Sequence, residues 1–416
     1  MYILFIVTSF WAYGELTIAC EFAKGLKDKN IHPYFLVPPT HKDIMAKSGF
    51  CYTTMLPRNG KINRLLMQDI EMRYKPQLVI LADFLNYNFC EQHYGLKPED
   101  LSIFSGKLGT FDDFDWAVTG KYMDTYGFKS KKFADIDIRR YGFSLCPCPV
   151  VNPNGRERQQ TYHYKLAIHE IPYSEEQKDK YKQKLGLDPN RKLIVFTSAT
   201  WQESYKQYPD IISFVEFNNG LFYWMLNELA KDYTILCVGE EGFFSKSENP
   251  NIMFRKHMLP EVFKEYLLAT DLFMARNIVS TSLARAVLSG IPSISIQNSY
   301  LSVPDDLKNR IRNLQDDKHG LVDKMDSLKR CYKYRMYPVG WHVFLEPICA
   351  DNPYLETFLK LEQFEFDKSI ESIRELLENS SLRDGMRDKV CNYNKQLDQL
   401  MSAEEIVNQI IDGRNH

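Results

Sequence analysis

The sequence predicts two successive doubly wound α/β domains, each a parallel sheet with helices on both faces, that face each other across a cleft. Short β-favouring apolar runs alternate with segments of helical spacing, as in βαβ units. This alternation stops in a polar stretch between about residues 150 and 192 and then starts again. The 416 residues, of which 44% are hydrophobic and 25% charged, are enough for two globular domains with their own cores.

The first half opens with an unbroken β-favouring run from Tyr2 to Thr8, typical of a strand buried on both faces of a parallel sheet. Tyr13 and Gly14 interrupt this run, and apolar residues at helical spacing then predict a helix from Leu16 to Leu26. The elements predicted after it are a strand at 32–37, a helix near 61–74, and strands at 78–82 and 107–111. With the first strand, the strands among these elements form the first parallel sheet.

The second half restarts after a charged helix predicted from Ser174 to Lys184. Strands are predicted at 193–197, 234–238, 251–255, 272–275 and 293–296, and helices at 222–230, 261–269 and 280–288. Two amphipathic helices, 367–377 and 403–411, end the chain. We therefore expect an N-terminal domain at 1–165, a C-terminal domain at 166–395, and a helix at 396–416 that packs back on the N-terminal domain.

Composition excludes several classes of function. A net charge of -2 supplies no broad attraction for nucleic acid. Glu15 and Glu21 interrupt the apolar start too early for a signal peptide or a membrane span, so we expect a cytoplasmic protein without an integral membrane segment. The nine cysteines are odd in number and mostly isolated, which favours reduced thiols over disulfides or a metal site. A homodimer stays compatible with the sequence.

Three segments resemble GT-B glycosyltransferases. In the second half, Ala269 to Arg276 reads ATDLFMAR and Ser282 to Pro292 reads SLARAVLSGIP, which is similar to the family's nucleotide-sugar-binding domain. The loop from Ser9 to Glu15, followed by a helix, resembles the family's first loop, where an acceptor is activated. The resemblance implies a GT-B fold in which the domain at 1–165 binds the acceptor and the domain at 166–395 binds the nucleotide sugar. It also implies a glycosyltransferase that uses a nucleotide-diphosphate sugar as co-substrate and has no other cofactor.

In that family, a helix N-terminus in the 280–292 region lies under the donor diphosphate, and the physics of helix ends supports the placement. Main-chain N–H groups and three consecutive hydroxyl side chains favour phosphate there, although each hydroxyl also fits a simple helix cap. The predicted donor residues are Thr197, Ser198, Thr200, Gly239, Arg276, Ser280, Thr281, Ser282 and Arg285.

Two departures from the family pattern concern this donor loop. The usual glycines are replaced by the run from Asn277 to Ser280, and Arg285 stands where the family has a ribose-binding glutamate. Arginine cannot accept hydrogen bonds from ribose hydroxyls, so Arg285 either pairs with a phosphate or lies on a solvated helix face.

Glu15 and Asp83 are the predicted catalytic residues. Glu15 follows Gly14, where many relatives carry a histidine base, and a buried carboxylate can act as a base; the alternative is that it stabilises the helix dipole. Asp83 follows a buried strand and would orient the base or bind the acceptor, or be a turn aspartate.

The remaining candidates are predicted contacts to the sugar or the acceptor. They are Trp11, Tyr13, Asp113, Trp341, His342, Asp351 and Asn352. Asp113-Phe-Asp115 superficially matches the metal motif of the GT-A fold, but a short match in another architecture favours an acceptor contact or a plain loop, and no metal is expected. The aromatic residues of the first-domain loops would suit an apolar acceptor, and a packed core uses the same residues.

Three functions fit these observations. The first is an inverting, metal-independent transfer of a sugar to a small-molecule acceptor, because 282–292 lacks the glutamates of retaining relatives. The second is a nucleotide-sugar epimerase or hydrolase on the same fold. The third is a degenerate GT-B protein that binds a ligand without catalysis.

Overall fold

The computed structural model describes residues 1–10, 13–88, 90–113, 138–155, 160–166, 174–198, 209–239, 241–242, 244–300, 302–314, 317–327 and 350–413. Within these residues the strands form two sheets, of seven and six strands, and every strand pair is parallel. This confirms the predicted fold class of two Rossmann-like domains. In this part of the chain no helix is both long enough and apolar enough to cross a bilayer.

The first sheet has the order β3-β2-β1-β4-β5-β6-β7. Its strands are β1 (Tyr2–Ile6), β2 (His32–Val37), β3 (Cys51–Thr54), β4 (Leu78–Leu81), β5 (Lys107–Phe111), β6 (Phe143–Cys148) and β7 (Thr161–Lys165). The helices of this half are α1 (Gly14–Lys24), α2 (Lys42–Ser48), α3 (Gly60–Tyr74), α4 (Phe84–Asn88) and α5 (Glu91–Tyr94).

The second sheet has the order β10-β9-β8-β11-β12-β13. Its strands are β8 (Leu193–Thr197), β9 (Thr234–Gly239), β10 (Ile252–Lys256), β11 (Leu272–Ala275), β12 (Ser293–Gln297) and β13 (Leu359–Glu362). The helices are α6 (Glu175–Lys184), α7 (Pro209–Leu229), α8 (Pro260–Leu268), α9 (Thr281–Leu288), α10 (Asp305–Arg312), α11 (Leu321–Ser327), α12 (Phe366–Glu378), α13 (Ser380–Leu397) and α14 (Ala403–Asp412).

Strand β6 is an element that sequence reasoning missed, because Pro147 argues against an interior strand. The backbone explains why proline fits. In a parallel strand alternate residues face opposite neighbours: Leu145 accepts from Asp112 on the β5 side, whereas Ser144 donates to Gln160 on the β7 side. Pro147 therefore faces the β5 side, where β5 has already ended opposite Leu145. Its missing N–H costs no ladder bond.

The two halves pack around one apolar cluster, which contains Phe5 of the first sheet, Val238 of the second sheet and Leu283 of α9. The C-terminal helix α14 contributes Ile406 to the same cluster. Its last turn also accepts a hydrogen bond of 2.5 Å at the Ile410 carbonyl from Lys107 of β5. Helix α14 thus lies against the first sheet.

A buried cluster of ionised side chains lies at the end of the second sheet where its strands begin. Asp271, just before β11, contacts Lys178 at 2.5 Å and Lys182 at 2.7 Å, and both lysines belong to α6. The same carboxylate accepts the Leu193 main-chain N–H at 2.7 Å. The cluster ties α6 to the β8 and β11 strands and lies away from the carboxyl ends, where ligands bind.

Candidate active site

Each sheet has one place where the strand order reverses, between β1 and β4 in the first and between β8 and β11 in the second. Ligands of open parallel sheets bind outside the carboxyl ends of the strands at this point. Glu15 follows β1 and Asp83 follows β4, so both predicted catalytic residues lie at the first reversal point. Ser198 and the loop that starts α9 lie at the second.

Glu15 occupies the first turn of α1 and is half-buried. Its Oε2 accepts a hydrogen bond from the Ser9 hydroxyl, and its Oε1 accepts one of 2.9 Å from the side-chain amide of Asn86. The carboxylate is thereby held between the loop after β1 and helix α4, which follows β4. Two donors fix its orientation.

Asn86 joins the two predicted catalytic carboxylates. Its Nδ2 also lies 3.2 Å from Asp83 Oδ2, and its main-chain N–H donates to Asp83 Oδ1 at 3.0 Å. The second contact caps α4: Asp83 precedes the helix and bonds a main-chain N–H of its first turn, a local backbone contact like the turn role that sequence analysis weighed for Asp83. Sequence reasoning did not single out Asn86; a polar side chain three residues after Asp83, in the short segment FLNYN, is the signal that was available.

The surroundings of the site disfavour the charged form of its carboxyl groups. Burial, followed by the nearby charge of Asp83, raises the pKa of Glu15 to about 8. Burial also raises the pKa of Asp83 above its usual range. The pKa of Asp113 is raised well above its usual range by burial first, and then by Asp83, Glu15 and Asp112.

Asp113 follows β5 and completes a group of three interacting carboxyls with Glu15 and Asp83. Its Oδ1 is buried and has no hydrogen-bond partner within the described residues. In that same part of the chain, no group of three or more His, Cys, Asp or Glu side chains is arranged to hold a metal ion. The arrangement suits proton transfer, because neighbouring carboxyls that repel one another bring a pKa towards neutral pH.

Tyr13 shows that the carboxyl ends of the two sheets meet. Its ring lies 4.9 Å from the ring of His41, which follows β2, and 5.8 Å from that of His257, which follows β10. Tyr13 is also the residue that precedes α1, two positions before Glu15. The first-domain loop that carries Glu15 therefore contacts the second domain.

The predicted donor loop lies between β11 and α9. Ser280 caps α9: its hydroxyl accepts from the Leu283 main-chain N–H at 3.3 Å. The side chain of Asn277 folds onto its own loop and accepts from the Val279 N–H at 3.0 Å. Thr281 and Ser282, in the first turn of α9, are half-buried.

Both predicted donor arginines have partners in the protein. Arg276 donates to Asn219 at 2.7 Å, and its guanidinium lies 5.0 Å from the centre of the Phe222 ring on α7. Arg285 lies 3.8 Å from Glu21 of α1, with only 14% of its side chain exposed, so it does not lie on a solvated helix face. Burial lowers the pKa of Arg285, against the favourable charge of Glu21. The Arg285–Glu21 contact connects the donor helix to the helix that carries Glu15.

The remaining donor candidates lie at strand ends. Thr197 ends β8, and Ser198 donates its main-chain N–H to Val238 at 2.9 Å. Gly239 ends β9, where a Cβ would stand 3.0 Å from the Ser198 carbonyl oxygen. A side chain at this position would push the two loops apart by a few tenths of an ångström at the second reversal point.

Asp351 and Asn352 form part of a reciprocal contact between distant segments. Asn352 is buried and donates to the carbonyls of Pro149 at 3.2 Å and Val150 at 2.9 Å. In return, Asn152 donates to the carbonyl of Asp351 at 3.2 Å. These contacts join the segment after β6 to the segment before β13. Trp11, Thr200, Trp341 and His342 lie outside the described residues.

Comparisons with known proteins concern almost the whole chain. A model described as "Family of unknown function (DUF6365)" matches residues 22–414, and no curated protein matches. Three similar solved structures are spinosyn forosaminyltransferase SpnP (11% identity, TM-score 0.54, 99% of this chain and 98% of that chain), Anabaena Alr3699/HepE in complex with UDP (13%, 0.53, 99% and 99%) and glycosyltransferase VinC in complex with dTDP (11%, 0.52, 99% and 99%). This likeness confirms the GT-B fold that the sequence resemblance implied.

Proposed function

The chain belongs to the DUF6365 family, and we propose that it is an inverting, metal-independent glycosyltransferase that moves a sugar from a nucleotide-diphosphate donor to a small-molecule acceptor. The observation that carries the proposal is the position of Glu15. Its carboxylate lies at the reversal point of the first sheet, is held by Ser9 and Asn86, and has its pKa raised to about 8. SpnP and VinC, both named as transferases, share the fold.

In the proposed reaction, the Glu15 carboxylate takes the proton of an acceptor hydroxyl while that oxygen attacks the anomeric carbon of the donor sugar. The bond to the diphosphate oxygen breaks in the same step, so the configuration at the anomeric carbon inverts. The leaving diphosphate carries the negative charge, which the free N–H groups and positive dipole end of α9 stabilise. Thr281 and Ser282 add hydroxyl donors there.

The acceptor side of the site has an aromatic component. Phe10, in the loop between β1 and α1, is 38% exposed, and its ring packs against His93 at 4.7 Å. Tyr13 closes the same loop against the second domain. We therefore propose an acceptor with an apolar surface, for which such side chains supply contact area.

A nucleotide-binding measurement tests the donor site. UDP, dTDP, GDP, CDP, ADP and their sugar conjugates are compared by thermal shift, and we expect a selective response from one base. A ligand at a hundred times its dissociation constant stabilises the folded state by about 2.7 kcal/mol. No response to any nucleotide at millimolar concentration would favour the degenerate binding protein instead.

Alanine at both Thr281 and Ser282 should weaken nucleotide binding by about tenfold, because each hydroxyl removed is one donor to a charged phosphate. Ser381→Ala is the matched control, since Ser381 holds the equivalent second position of α13 and is exposed. Isothermal titration with the selected nucleotide gives both affinities. Equal affinity of the double variant and the control would remove α9 from the donor site.

Two substitutions should move the pH dependence of turnover in opposite directions. The nearby charge of Asp83 raises the pKa of Glu15, and the hydrogen bond from Ser9 lowers it. The ascending limb of kcat/KM, with a midpoint near pH 8 in the wild type, should therefore move to lower pH in Asp83→Asn and to higher pH in Ser9→Ala. Shifts in the same direction, or none, would contradict Glu15 as the base.

A reaction without any acceptor tests the alternative function. If the donor then loses its sugar to water, the protein is a hydrolase.

A further inference from the structure

The described residues expose eight large apolar side chains, and four of these lie between residues 56 and 72. They are Leu56, Ile62, Leu65 and Met72, of which Leu65 is 53% and Met72 70% exposed. Single exposed apolar residues are ordinary on protein surfaces, but a concentration on one element marks an interaction site.

Helix α3 carries three of these side chains, and two of them, Leu65 and Met72, lie on its outer face. Its inner face buries Asn63, Met67 and Ile70 against the first domain. Lys61, Leu65, Gln68 and Met72 follow one another at spacings of four, three and four residues, so they form one line along the opposite face. Lys75 extends that line immediately after the helix ends. We call this line, with Leu56, Arg58, Ile62 and Arg73 beside it, the α3 surface.

The α3 surface has an excess of positive charge, although the whole chain carries a net charge of -2. Arg58, Lys61, Arg73 and Lys75 are all exposed. The helix also carries Asp69 on one side of the line, where it is paired with Arg73 at 2.8 Å. Glu71 lies on the inner flank, where it accepts a hydrogen bond of 2.6 Å from the Ser105 hydroxyl. The α3 surface therefore presents apolar side chains with basic side chains around them.

The α3 surface begins at the rim of the candidate active site. Leu56 is held there by Asn63, which bonds both its main-chain N–H and its carbonyl at 2.8 Å. The main-chain N–H of Arg58 donates to the carbonyl of His93, whose ring contacts Phe10 of the loop that leads to Glu15. An occupant of the α3 surface would lie next to the first-domain side of the cleft.

We propose that the α3 surface docks on the face of an anionic membrane. The apolar side chains enter the boundary between headgroups and acyl chains, while the lysines and arginines keep their charged ends at the phosphate level. We choose a membrane as the binding partner because the charges are complementary. An anionic leaflet attracts each basic side chain that lies close to it, whereas a neutral surface does not. The attraction is screened by salt. The proposal stands independently of the glycosyltransferase reaction.

Sedimentation of the full chain with vesicles tests the proposal. We expect binding to phosphatidylcholine vesicles that contain phosphatidylglycerol, little binding to phosphatidylcholine alone, and weaker binding at high salt. The charge variant, Lys61→Glu with Lys75→Glu, should lower the partition coefficient by about 20-fold or more. The apolar variant, Leu65→Ser with Met72→Ser, should lower it by about tenfold or more.

The matched control is Leu382→Ser with Lys389→Glu, which changes an exposed leucine and an exposed lysine of α13. Because all changed side chains are exposed, thermal melting should show that each variant is folded. Absence of binding to the anionic vesicles overturns the proposal, as does equal binding by the control and the two α3 variants. Light scattering without vesicles gives the remaining outcome: a dimer that the α3 variants dissociate would assign the surface to a second copy of the chain instead.

Discussion

Replacing Glu15 by glutamine is expected to lower turnover by about 10²- to 10⁴-fold while leaving nucleotide affinity nearly unchanged. Glutamine keeps the local geometry: its oxygen can accept from Asn86 as Glu15 Oε1 does, and its amide can donate to the Ser9 hydroxyl. What it lacks is a site for the acceptor proton. Initial rates with the selected donor, and nucleotide titrations, give the two quantities.

The control for this substitution is Glu261→Gln, which changes an exposed glutamate in the first turn of α8. If Glu15 served only the dipole of α1, the two variants would behave alike, because such an interaction contributes about 0.3–1 kcal/mol to stability and nothing to turnover. Strong residual activity of Glu15→Gln would remove Glu15 from the reaction.

Glu15→Gln should also change how the stability of the protein depends on pH, and this can be measured without substrate. The pKa of Glu15 is raised from 4.5 to about 8 in the folded protein, so the folded state holds this proton more tightly than the unfolded state. The contribution of Glu15 to stability is therefore fully present below about pH 4.5 and is lost as pH rises through about 8. Glu15→Gln should lack this loss, so its stability relative to the wild type should increase across that window. Parallel pH–stability curves would contradict the raised pKa.

Asp271→Ala is expected to lower the free energy of unfolding by about 3–5 kcal/mol. The substitution removes the carboxylate that contacts both Lys178 and Lys182, and only 2% of the Lys182 side chain is exposed. Without Asp271 the buried Lys182 ammonium loses its counter-charge and keeps only a neutral acceptor, the Arg191 carbonyl at 3.1 Å. The Leu193 main-chain N–H loses its acceptor as well. Urea unfolding at neutral pH measures the change.

Asp232→Ala is the matched control, because Asp232 pairs with Arg374 at 3.0 Å on the surface and both side chains are well exposed. We expect a loss of about 1 kcal/mol or less for that pair. Adding Lys178→Met and Lys182→Met to Asp271→Ala should recover part of the stability, since no unpaired buried charge is left. A small effect of Asp271→Ala, equal to that of the control, would show that the lysines reach water.

The strands that line each reversal point could be read from the sequence. β1, β4, β8 and β11 are short, continuous apolar runs, because both their faces are covered by helices. The strands that were missed carry a weaker signal. β3 begins with an exposed cysteine and contains two threonines, and β13 alternates leucine with charged residues. β7 alternates buried tyrosines with half-buried polar residues and lies in the stretch of 150–192 where the sequence predicted no strand. Such short patterns are also common in loops.

The candidate site, like the strands, could be predicted from the sequence only in part. Glu15, Asp83 and Asp113 each follow a predicted strand, and the carboxyl ends of parallel strands share one edge of a sheet. That the three carboxyls form one interacting group was found only in the structure. Burial is the largest cause of the raised pKa of Glu15 and of Asp113, and the charges of neighbouring carboxylates raise both pKa values further. Whether these residues perform the proposed chemistry stays a prediction that the variants test.

By itself, the sequence determined the two parallel sheets and the strand ends at which polar side chains collect, because burial and periodicity are local properties of the chain. Only the tertiary structure decided which side chains meet across long separations. Asn86 bridges Glu15 and Asp83, Arg285 pairs with Glu21, and Tyr13 contacts His257. Each of these contacts depends on how two elements are oriented in space, and no local pattern encodes that orientation.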